Sequence, residues 1–200
     1  MNQIIYRQFG KPSGSLGRLA GWIMSFNNQE RSQWTLEKLN VNPGDRLLEI
    51  GYGSGATLQK VAQKLTTGLI AGIDHSQVMF EQASARNAGA IKAGKIKLQC
   101  GTVWDLEYRD NYFDIAFGSN VHFFWENPVV EFGQLRKLVK PGGRVVMVFQ
   151  PRLAKSEEEV HGIAVQTRNI YQKAGFGNIE IDFKKMKPLT CICISGMKNG

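Results

Sequence analysis

The chain has 200 residues, of which 42% are hydrophobic and 21% charged, and its formal net charge is +8 at pH 7. This length suits one domain with a sizeable core, and the composition is that of an ordinary globular protein. Three cysteines and three scattered histidines give neither a disulfide framework nor a zinc set, so we predict no metal site. No apolar run approaches the length of a membrane span, and a cytoplasmic location is expected.

The basic excess is spread along the chain rather than concentrated on one segment. The excess favours anionic partners by long-range attraction, but a spread distribution marks no binding face. We therefore expect neither a nucleic-acid partner nor stable membrane insertion.

The first forty residues carry no strand pattern but are rich in aromatic side chains. Asn27 and Glu30 form a capping pair that predicts a helix through about Leu39. The aromatic residues can pack on a sheet edge, or Tyr6 and Trp22 can cover a substrate, and the sequence leaves both alternatives open. We predict a single domain in which residues 1–40 form a helical cap or lid and residues 41–200 the core.

The most informative stretch begins with an apolar run, residues 47–50, and continues with Gly51, Gly53 and Gly55. A strand, a glycine turn and a helix in this order offer main-chain N–H groups and a positive helix end to a nucleotide-like ligand. The glycines also satisfy a dinucleotide fingerprint. Glu49, however, completes the pattern acidic-x-G-x-G-x-G, which resembles the first motif of the class I S-adenosylmethionine-dependent methyltransferases.

This resemblance implies that Glu49 lies near the methionine end of the cofactor or shapes the turn. It also implies that the cofactor is S-adenosylmethionine, with S-adenosylhomocysteine as the product. The turn residues predicted to contact it are Gly51, Tyr52, Gly53 and Gly55.

A second buried strand, residues 69–73, ends at Asp74. An acidic residue about twenty positions beyond the glycine turn can accept hydrogen bonds from both ribose hydroxyls of a nucleotide. Alternatively Asp74 caps the next helix, although Ser76 is the better cap. We predict that helix from Ser76 to about Ala90, and we include His75 among the cofactor contacts.

Residues 96–100 alternate like a half-buried strand. The resemblance implies that the residues after it, Thr102, Val103 and Trp104, bind adenine. Relatives often carry an acid where Thr102 stands, so the usual carboxylate contact is not expected at this position and Asp105 is a candidate to replace it. Trp104 can stack on the adenine or equally fill the core.

The fourth strand, residues 115–118, leads to Ser119, Asn120, His122 and Trp125. In a doubly wound sheet, ligands settle at the carboxyl ends of the strands where the two halves diverge. We predict that Ser119 and Asn120 contact the cofactor and that His122 and Trp125 contact the substrate. His122 is also a candidate general base, and the alternative is that it bonds the cofactor or packs at the pocket wall.

A leucine-rich helix, the turn at residues 140–144 and a β-branched strand at 145–149 form a second signature of the same family. Residues 178–183 and 189–194 alternate like two strands joined by a basic turn. We predict a doubly wound, Rossmann-like α/β sandwich of three layers. Its seven-stranded sheet is mostly parallel and ends in an antiparallel C-terminal hairpin.

The resemblance implies a methyltransferase, and missing motifs narrow its acceptor. Residues 119–122 lack the Asn/Asp-Pro-Pro-aromatic motif of enzymes that methylate amino groups of bases, and no cysteine is placed for pyrimidine C5 chemistry. A small organic or lipid-like acceptor remains, with either a monomer or a dimer as the active form. The alternatives are an NAD(P)-dependent oxidoreductase, which lacks a Tyr-x-x-x-Lys pair here, and a non-catalytic nucleotide-binding domain.

Overall fold

The structure, a computed structural model, describes residues 29–200. Tyr6, Trp22 and the capping residue Asn27 lie outside these residues, so the N-terminal lid and the division at residue 40 stay predictions. The chain separates into two compact units, the first ending at Leu106 and the second running from Glu107 to Gly200.

The first unit consists of three parallel strands and the helices that connect them. β2 pairs with both β1 and β3, with Ile50 opposite Ile73 and Asp74 opposite Cys100. Because parallel strands end at the same edge of a sheet, the glycine turn, Asp74 and the segment after β3 reach that edge together. The elements are α1 (Gln29–Leu39), β1 (Arg46–Ile50), α2 (Ala56–Lys64), β2 (Leu69–Asp74), α3 (Gln77–Arg86), α4 (Ala88–Lys92), β3 (Ile96–Cys100) and a 3-10 turn (Val103–Asp105).

The helix predicted from Ser76 to about Ala90 is in fact two helices, α3 and α4, separated by Asn87. The single-helix prediction is wrong because the Asn87 side chain hydrogen-bonds to main-chain carbonyls, at Gly55 and at Ala83. Such side chains compete with the regular helical bonding pattern. Ser76 is the N-cap, as the sequence predicts, and its Oγ atom accepts from the main-chain nitrogen of Met79 at 3.4 Å.

The second unit contains one parallel and two antiparallel strand pairs, in the order β4-β5-β7-β6. The predicted antiparallel C-terminal hairpin is therefore confirmed. The largest fully buried side chains of the second unit are those of Phe113, Phe117, Phe132, Phe149 and Tyr171. The elements are β4 (Phe113–Ser119), a 3-10 turn (His122–Phe124), α5 (Pro128–Leu138), β5 (Val139–Phe149), α6 (Glu157–Lys173), β6 (Gly177–Lys184) and β7 (Cys191–Met197).

Strand β5 begins earlier than the sequence predicts, at Val139 rather than after the Pro-Gly-Gly turn. The turn interrupts the ladder, whose register jumps between Phe113 and Ile115 of β4. The turn residues still belong to β5 because they pair with the segment after β7. The Gly142 nitrogen donates to the Lys198 carbonyl and the Lys198 nitrogen donates to the Gly143 carbonyl, both at 2.8 Å. This pairing supplies the ladder bonds that periodicity alone does not reveal.

Across residues 29–200, no helix combines the length and the hydropathy that crossing a bilayer requires.

Candidate cofactor site and aromatic cluster

The turn after β1 is built from three glycines in left-handed backbone conformations. Gly51, Gly53 and Gly55 have φ angles of 70°, 52° and 75°, which residues with a Cβ atom rarely adopt. The Gly51 nitrogen donates to the Ile73 carbonyl at 2.7 Å and so attaches the turn to the end of β2. A Cβ atom on Gly53 would meet no atom within 4 Å. At Gly53 the turn therefore presents its main chain to open space without side-chain bulk.

The carboxylate of Asp74 is joined to this turn. Its Oδ2 atom accepts a hydrogen bond from the Gly53 nitrogen at 2.9 Å, and Oδ1 accepts one from the Ser76 nitrogen at 3.0 Å. A carboxylate offers about four acceptor positions, so two further donors such as vicinal hydroxyls fit. His75 lies beside it, with a side chain 45% exposed and Nδ1 at 4.0 Å from Oδ1 of Asp74.

Glu49 is a buried acid whose hydrogen bonding is incomplete. The residue is 3% exposed, and no partner within the described chain reaches its Oε2 atom. Burial, and secondly the negative charge of Asp74, hold the pKa of Glu49 well above its usual range. An orphaned buried oxygen destabilises the protein unless a donor reaches it. A ligand with an ammonium group supplies both donors and positive charge, so the site fits the methionine end of S-adenosylmethionine.

The side chain of Tyr52 is part of the packing of the first unit. It is 4% exposed, and its hydroxyl donates to the Gln99 carbonyl at 3.0 Å. Its ring lies close to β2 at Gly72, where a Cβ atom would stand 2.8 Å from Tyr52 Cδ1. Because this side chain is buried and hydrogen-bonded, the cofactor contact predicted for Tyr52 must come from its main chain.

The segment predicted to bind adenine forms a 3-10 turn that Thr102 and Asp105 close. The nitrogen and the Oγ1 atom of Thr102 donate to Oδ2 of Asp105 at 2.7 and 2.8 Å. The main-chain bond, followed by the hydroxyl bond, lowers the pKa of Asp105. Val103 is buried, whereas Trp104 is 53% exposed. The alternative that Trp104 fills the core is therefore wrong, and its stacking on adenine stays a prediction.

In the second unit, Asn120 joins the ends of two strands. It has a left-handed φ of 55°, its nitrogen donates to the Val148 carbonyl at 3.1 Å, and its Oδ1 atom accepts from the Gln150 nitrogen at 2.9 Å. Gln150 is itself buried, and its side-chain amide donates to the carbonyls of Lys187 and Leu189. No pattern in the sequence indicated Gln150, because glutamine is usually exposed.

His122 is enclosed by aromatic rings. Its ring centroid lies 4.2 Å from that of Phe123, 4.4 Å from Phe149, 6.4 Å from Phe132 and 6.5 Å from Trp125. The residue is 4% exposed, and among residues 29–200 neither ring nitrogen finds a hydrogen-bond partner. Burial lowers the pKa of His122 to about 4. The imidazole is therefore neutral at physiological pH, which favours the predicted pocket-wall role over that of a general base.

Two residues beside this histidine were not among the predicted substrate contacts. Phe123 and Phe124 are 45% and 46% exposed. The signal in the sequence was a pair of aromatic residues directly after a strand at a ligand-binding edge, where loops carry function. His122, Phe123, Phe124, Trp125 and Phe149 are called the aromatic cluster below.

The structure thus brings the predicted cofactor contacts of the first unit to one sheet edge: Glu49, Gly51, Tyr52, Gly53, Gly55, Asp74, His75, Thr102, Val103 and Trp104. Ser119 and Asn120 belong to the second unit, as do the predicted substrate contacts His122 and Trp125. Their ligand contacts stay predictions. In the part of the chain that the structure describes, no three His, Cys, Asp or Glu side chains are grouped to hold a metal ion.

Comparison with known proteins identifies the family. Residues 48–147, half of the chain, match a family described as a methyltransferase domain. The uncharacterized methyltransferase YdaC of Bacillus subtilis is 30% identical over 181 residues, which cover 90% of this chain and 98% of YdaC. A demethylmenaquinone methyltransferase of Symbiobacterium thermophilum is 33% identical over 129 residues, or 62% of this chain and 50% of that enzyme. The chain thus spans about half the length of that relative.

Among solved structures, phosphoethanolamine N-methyltransferase 2 of Haemonchus contortus, in complex with phosphomonomethylethanolamine and S-adenosylhomocysteine, has a TM-score of 0.70. It is 16% identical, and the alignment covers 86% of this chain and 53% of that one. A second structure of that enzyme holds S-adenosylmethionine. At this identity the likeness shows the fold alone. The predicted doubly wound, Rossmann-like α/β fold, with its mostly parallel seven-stranded sheet, is confirmed.

The methyltransferase domain contains the glycine turn and Asp74, and YdaC is matched over almost its whole length. The prediction of an enzyme that uses S-adenosylmethionine, rather than a nicotinamide-dependent oxidoreductase, is therefore confirmed. The chain belongs to the class I S-adenosylmethionine-dependent methyltransferases.

Proposed function

We propose that this methyltransferase acts on a small organic or lipid-like acceptor that binds against the aromatic cluster of the second unit. The observation that carries the proposal is the exposure of two consecutive aromatic side chains, Phe123 and Phe124, after β4. Exposed aromatic rings gain free energy when an apolar partner covers them. The relative named demethylmenaquinone methyltransferase supports a quinone-like acceptor of this class.

The cofactor contacts are proposed within the same reaction. Asp74 accepts hydrogen bonds from the ribose hydroxyls, Glu49 pairs with the ammonium group of the methionine end, and Trp104 stacks on the adenine. When bound, S-adenosylmethionine supplies a methyl group made electrophilic by its sulfonium charge. The protein's own part is to orient the acceptor atom in line with that methyl group and to exclude water. The further proposed contacts are Gly51, Tyr52, Gly53, Gly55, His75, Thr102, Val103, Ser119 and Asn120.

In this proposal His122 orients the acceptor instead of removing a proton from it. An imidazole whose pKa is about 4 is a weak base at neutral pH. In its neutral form it still donates one hydrogen bond and accepts another, and an acceptor hydroxyl or carbonyl would pair with a nitrogen that the protein leaves unbonded. The acceptor must then react without a strong enzyme base, as an acidic hydroxyl or an electron-rich ring carbon does.

The test is transfer of labelled methyl groups from S-adenosylmethionine to three acceptors: a short-chain demethylmenaquinone chemically reduced to its quinol, a simple phenol and phosphoethanolamine. We expect methylation of the first or the second. Phe123→Ala and Phe124→Ala should each lower kcat/KM for that acceptor by about tenfold or more, because each removes most of an apolar contact.

Phe183→Ala is the matched control, because Phe183 is also an exposed phenylalanine of the second unit, at 41%, but packs on His161 at 4.3 Å. Its turnover should match that of the wild type. Methylation of phosphoethanolamine alone, at a rate that neither Phe123→Ala nor Phe124→Ala changes, would rule out the apolar acceptor.

A further inference from the structure

Asn87 is a buried polar residue that neither the motif nor the proposed acceptor site uses. It stands between α3 and α4 and is 2% exposed. Its side-chain nitrogen donates to the Gly55 carbonyl at 3.1 Å and to the Ala83 carbonyl at 2.9 Å. The first of these bonds joins residues 32 positions apart. A single amide thus connects the α3–α4 junction to the last glycine of the cofactor turn.

Gly55 depends on this contact in two ways. It is the N-cap residue of α2 and has no side chain with which to cap the helix. Its carbonyl accepts from the Gln59 nitrogen at 3.1 Å as well as from Asn87, so both of its acceptor positions are used. A hydrogen bond to this carbonyl fixes the orientation of the peptide group that leaves the turn and enters the helix.

The packing around Gly55 is equally specific. A Cβ atom at this position would lie 2.6 Å from Nδ2 of Asn87 and 2.8 Å from Cβ of Ala83. The absent side chain therefore makes room for the amide, and the amide occupies that room. On Gly53, by contrast, a Cβ atom would meet nothing within 4 Å. Of these two glycines, only Gly55 packs closely against α3 and its junction with α4.

We propose that Asn87 is a positioning residue for S-adenosylmethionine binding. Asn87 is not one of the proposed cofactor contacts, but it holds the Gly55 peptide, and hence the turn from Gly51 to Gly55, in the conformation that receives the ligand. This role accounts for a buried asparagine at this position although its Oδ1 atom has no partner among the described residues. An unpaired buried oxygen destabilises the fold, and leucine or methionine would avoid it.

The inference concerns cofactor affinity and is independent of which acceptor is methylated. Its test is the dissociation constant of S-adenosylhomocysteine, measured by calorimetry on the full chain at a temperature well below each variant's melting point. Asn87→Ala should weaken binding by about tenfold, the equivalent of one hydrogen bond lost from a preorganised turn. Met79→Ala is the control, because Met79 is buried in α3 and its truncation loosens the helix while keeping the amide bond.

A second variant distinguishes positioning from packing by its pH dependence. Asn87→Asp has the shape of asparagine, but an ionised carboxylate cannot donate to the Gly55 carbonyl. Burial favours the protonated acid, which regains an O–H donor as the pH falls. We expect the affinity of Asn87→Asp, relative to wild type at the same pH, to be lowest near pH 7.5 and to recover toward about pH 5.5.

Equal weakening by Asn87→Ala and Met79→Ala would reduce Asn87 to a packing residue and overturn the proposal. So would a ratio of Asn87→Asp to wild-type affinity that stays constant over this pH range. Should Asn87→Asp not fold, the comparison of Asn87→Ala with Met79→Ala decides alone.

Discussion

Asp74 and Gly53 form the contact that joins the end of β2 to the glycine turn: Oδ2 of the carboxylate accepts from the main-chain nitrogen at 2.9 Å. The same carboxylate is the proposed partner of the ribose. One residue therefore supports the shape of the turn and is also the proposed contact for the ligand that the turn receives.

Replacing Asp74 should weaken both functions. Asp74→Asn keeps the size of the side chain but loses the charge and one of the two acceptor oxygens. We expect the affinity for S-adenosylhomocysteine to fall by about 10- to 100-fold, the range for hydrogen bonds to a charged group, as measured by calorimetry. Asp114→Asn, which alters a partly exposed ion pair with Lys140 in the second unit, serves as the control and should bind normally. An Asp74→Asn protein with wild-type affinity would contradict the ribose assignment.

The buried carboxyl of Glu49 should make stability depend on pH in the absence of ligand. Its pKa in the folded state is raised, chiefly by burial, so the folded state retains a proton that the unfolded state releases above the ordinary glutamate pKa. The contribution of the protonated carboxyl is complete below that ordinary value and is lost as the pH rises toward the raised one. Glu49→Gln should therefore melt at a higher temperature than wild type, with a gain that grows as the pH rises from the ordinary glutamate pKa toward the raised pKa of the folded state.

The same variant should respond less to the cofactor. S-adenosylmethionine brings positive charge to a carboxyl that can ionise to meet it, and a glutamine cannot. Thermal melts with and without S-adenosylmethionine at several pH values measure both effects. A melting-temperature difference between wild type and Glu49→Gln that is constant with pH would show that Glu49 does not titrate in this range.

Gly53→Ala and Gly55→Ala form a matched pair. Both glycines have left-handed φ angles, 52° and 75°, so an alanine costs about 1 to 2 kcal/mol at either position. Only at Gly55 does the new methyl group also overlap Asn87 and Ala83, which brings the expected loss to roughly 2 to 5 kcal/mol. Urea denaturation compares the two variants. Equal losses would mean that the space behind Gly55 is not tightly filled.

His122 should destabilise the protein as the pH falls. Its pKa in the folded state is about 4, below the ordinary 6.5, because burial disfavours the charged ring. The unfolded state therefore binds more protons between these two values, and stability falls with decreasing pH by up to about 3 kcal/mol. His122→Phe removes the titrating group and should abolish this part of the loss. Denaturation curves from about pH 7 to pH 4 test it.

His122→Phe also tests the proposed orienting role. The phenyl ring is about as large and suits an aromatic surrounding, so folding and affinity for S-adenosylhomocysteine should persist. Turnover of the acceptor should fall, because no ring nitrogen remains to hold it. Full turnover by this variant would remove His122 from the acceptor site.

The backbone of the candidate site could be predicted from the sequence because it depends on local properties. Alternate glycines, a preceding acid and an aspartate at the end of the next apolar run reflect dihedral preference and strand period, which adjacent residues reveal. These features located Glu49, Gly53 and Asp74 correctly at the ends of β1 and β2. The basic turn between two alternating runs likewise predicted the antiparallel hairpin.

What the sequence by itself determined is therefore the order of the elements, the glycine turn and, through the motif, the class of cofactor. Only the tertiary structure decided that His122 is enclosed and uncharged, that Trp104 is exposed, and that Asn87 interrupts a helix to hold Gly55. Burial and pairing depend on residues far apart in the chain: Phe149 lies beside His122, and the amide of Asn87 meets the carbonyl of Gly55. The spacing of residues within one helix or strand does not predict such contacts, because they arise only when separate elements pack together.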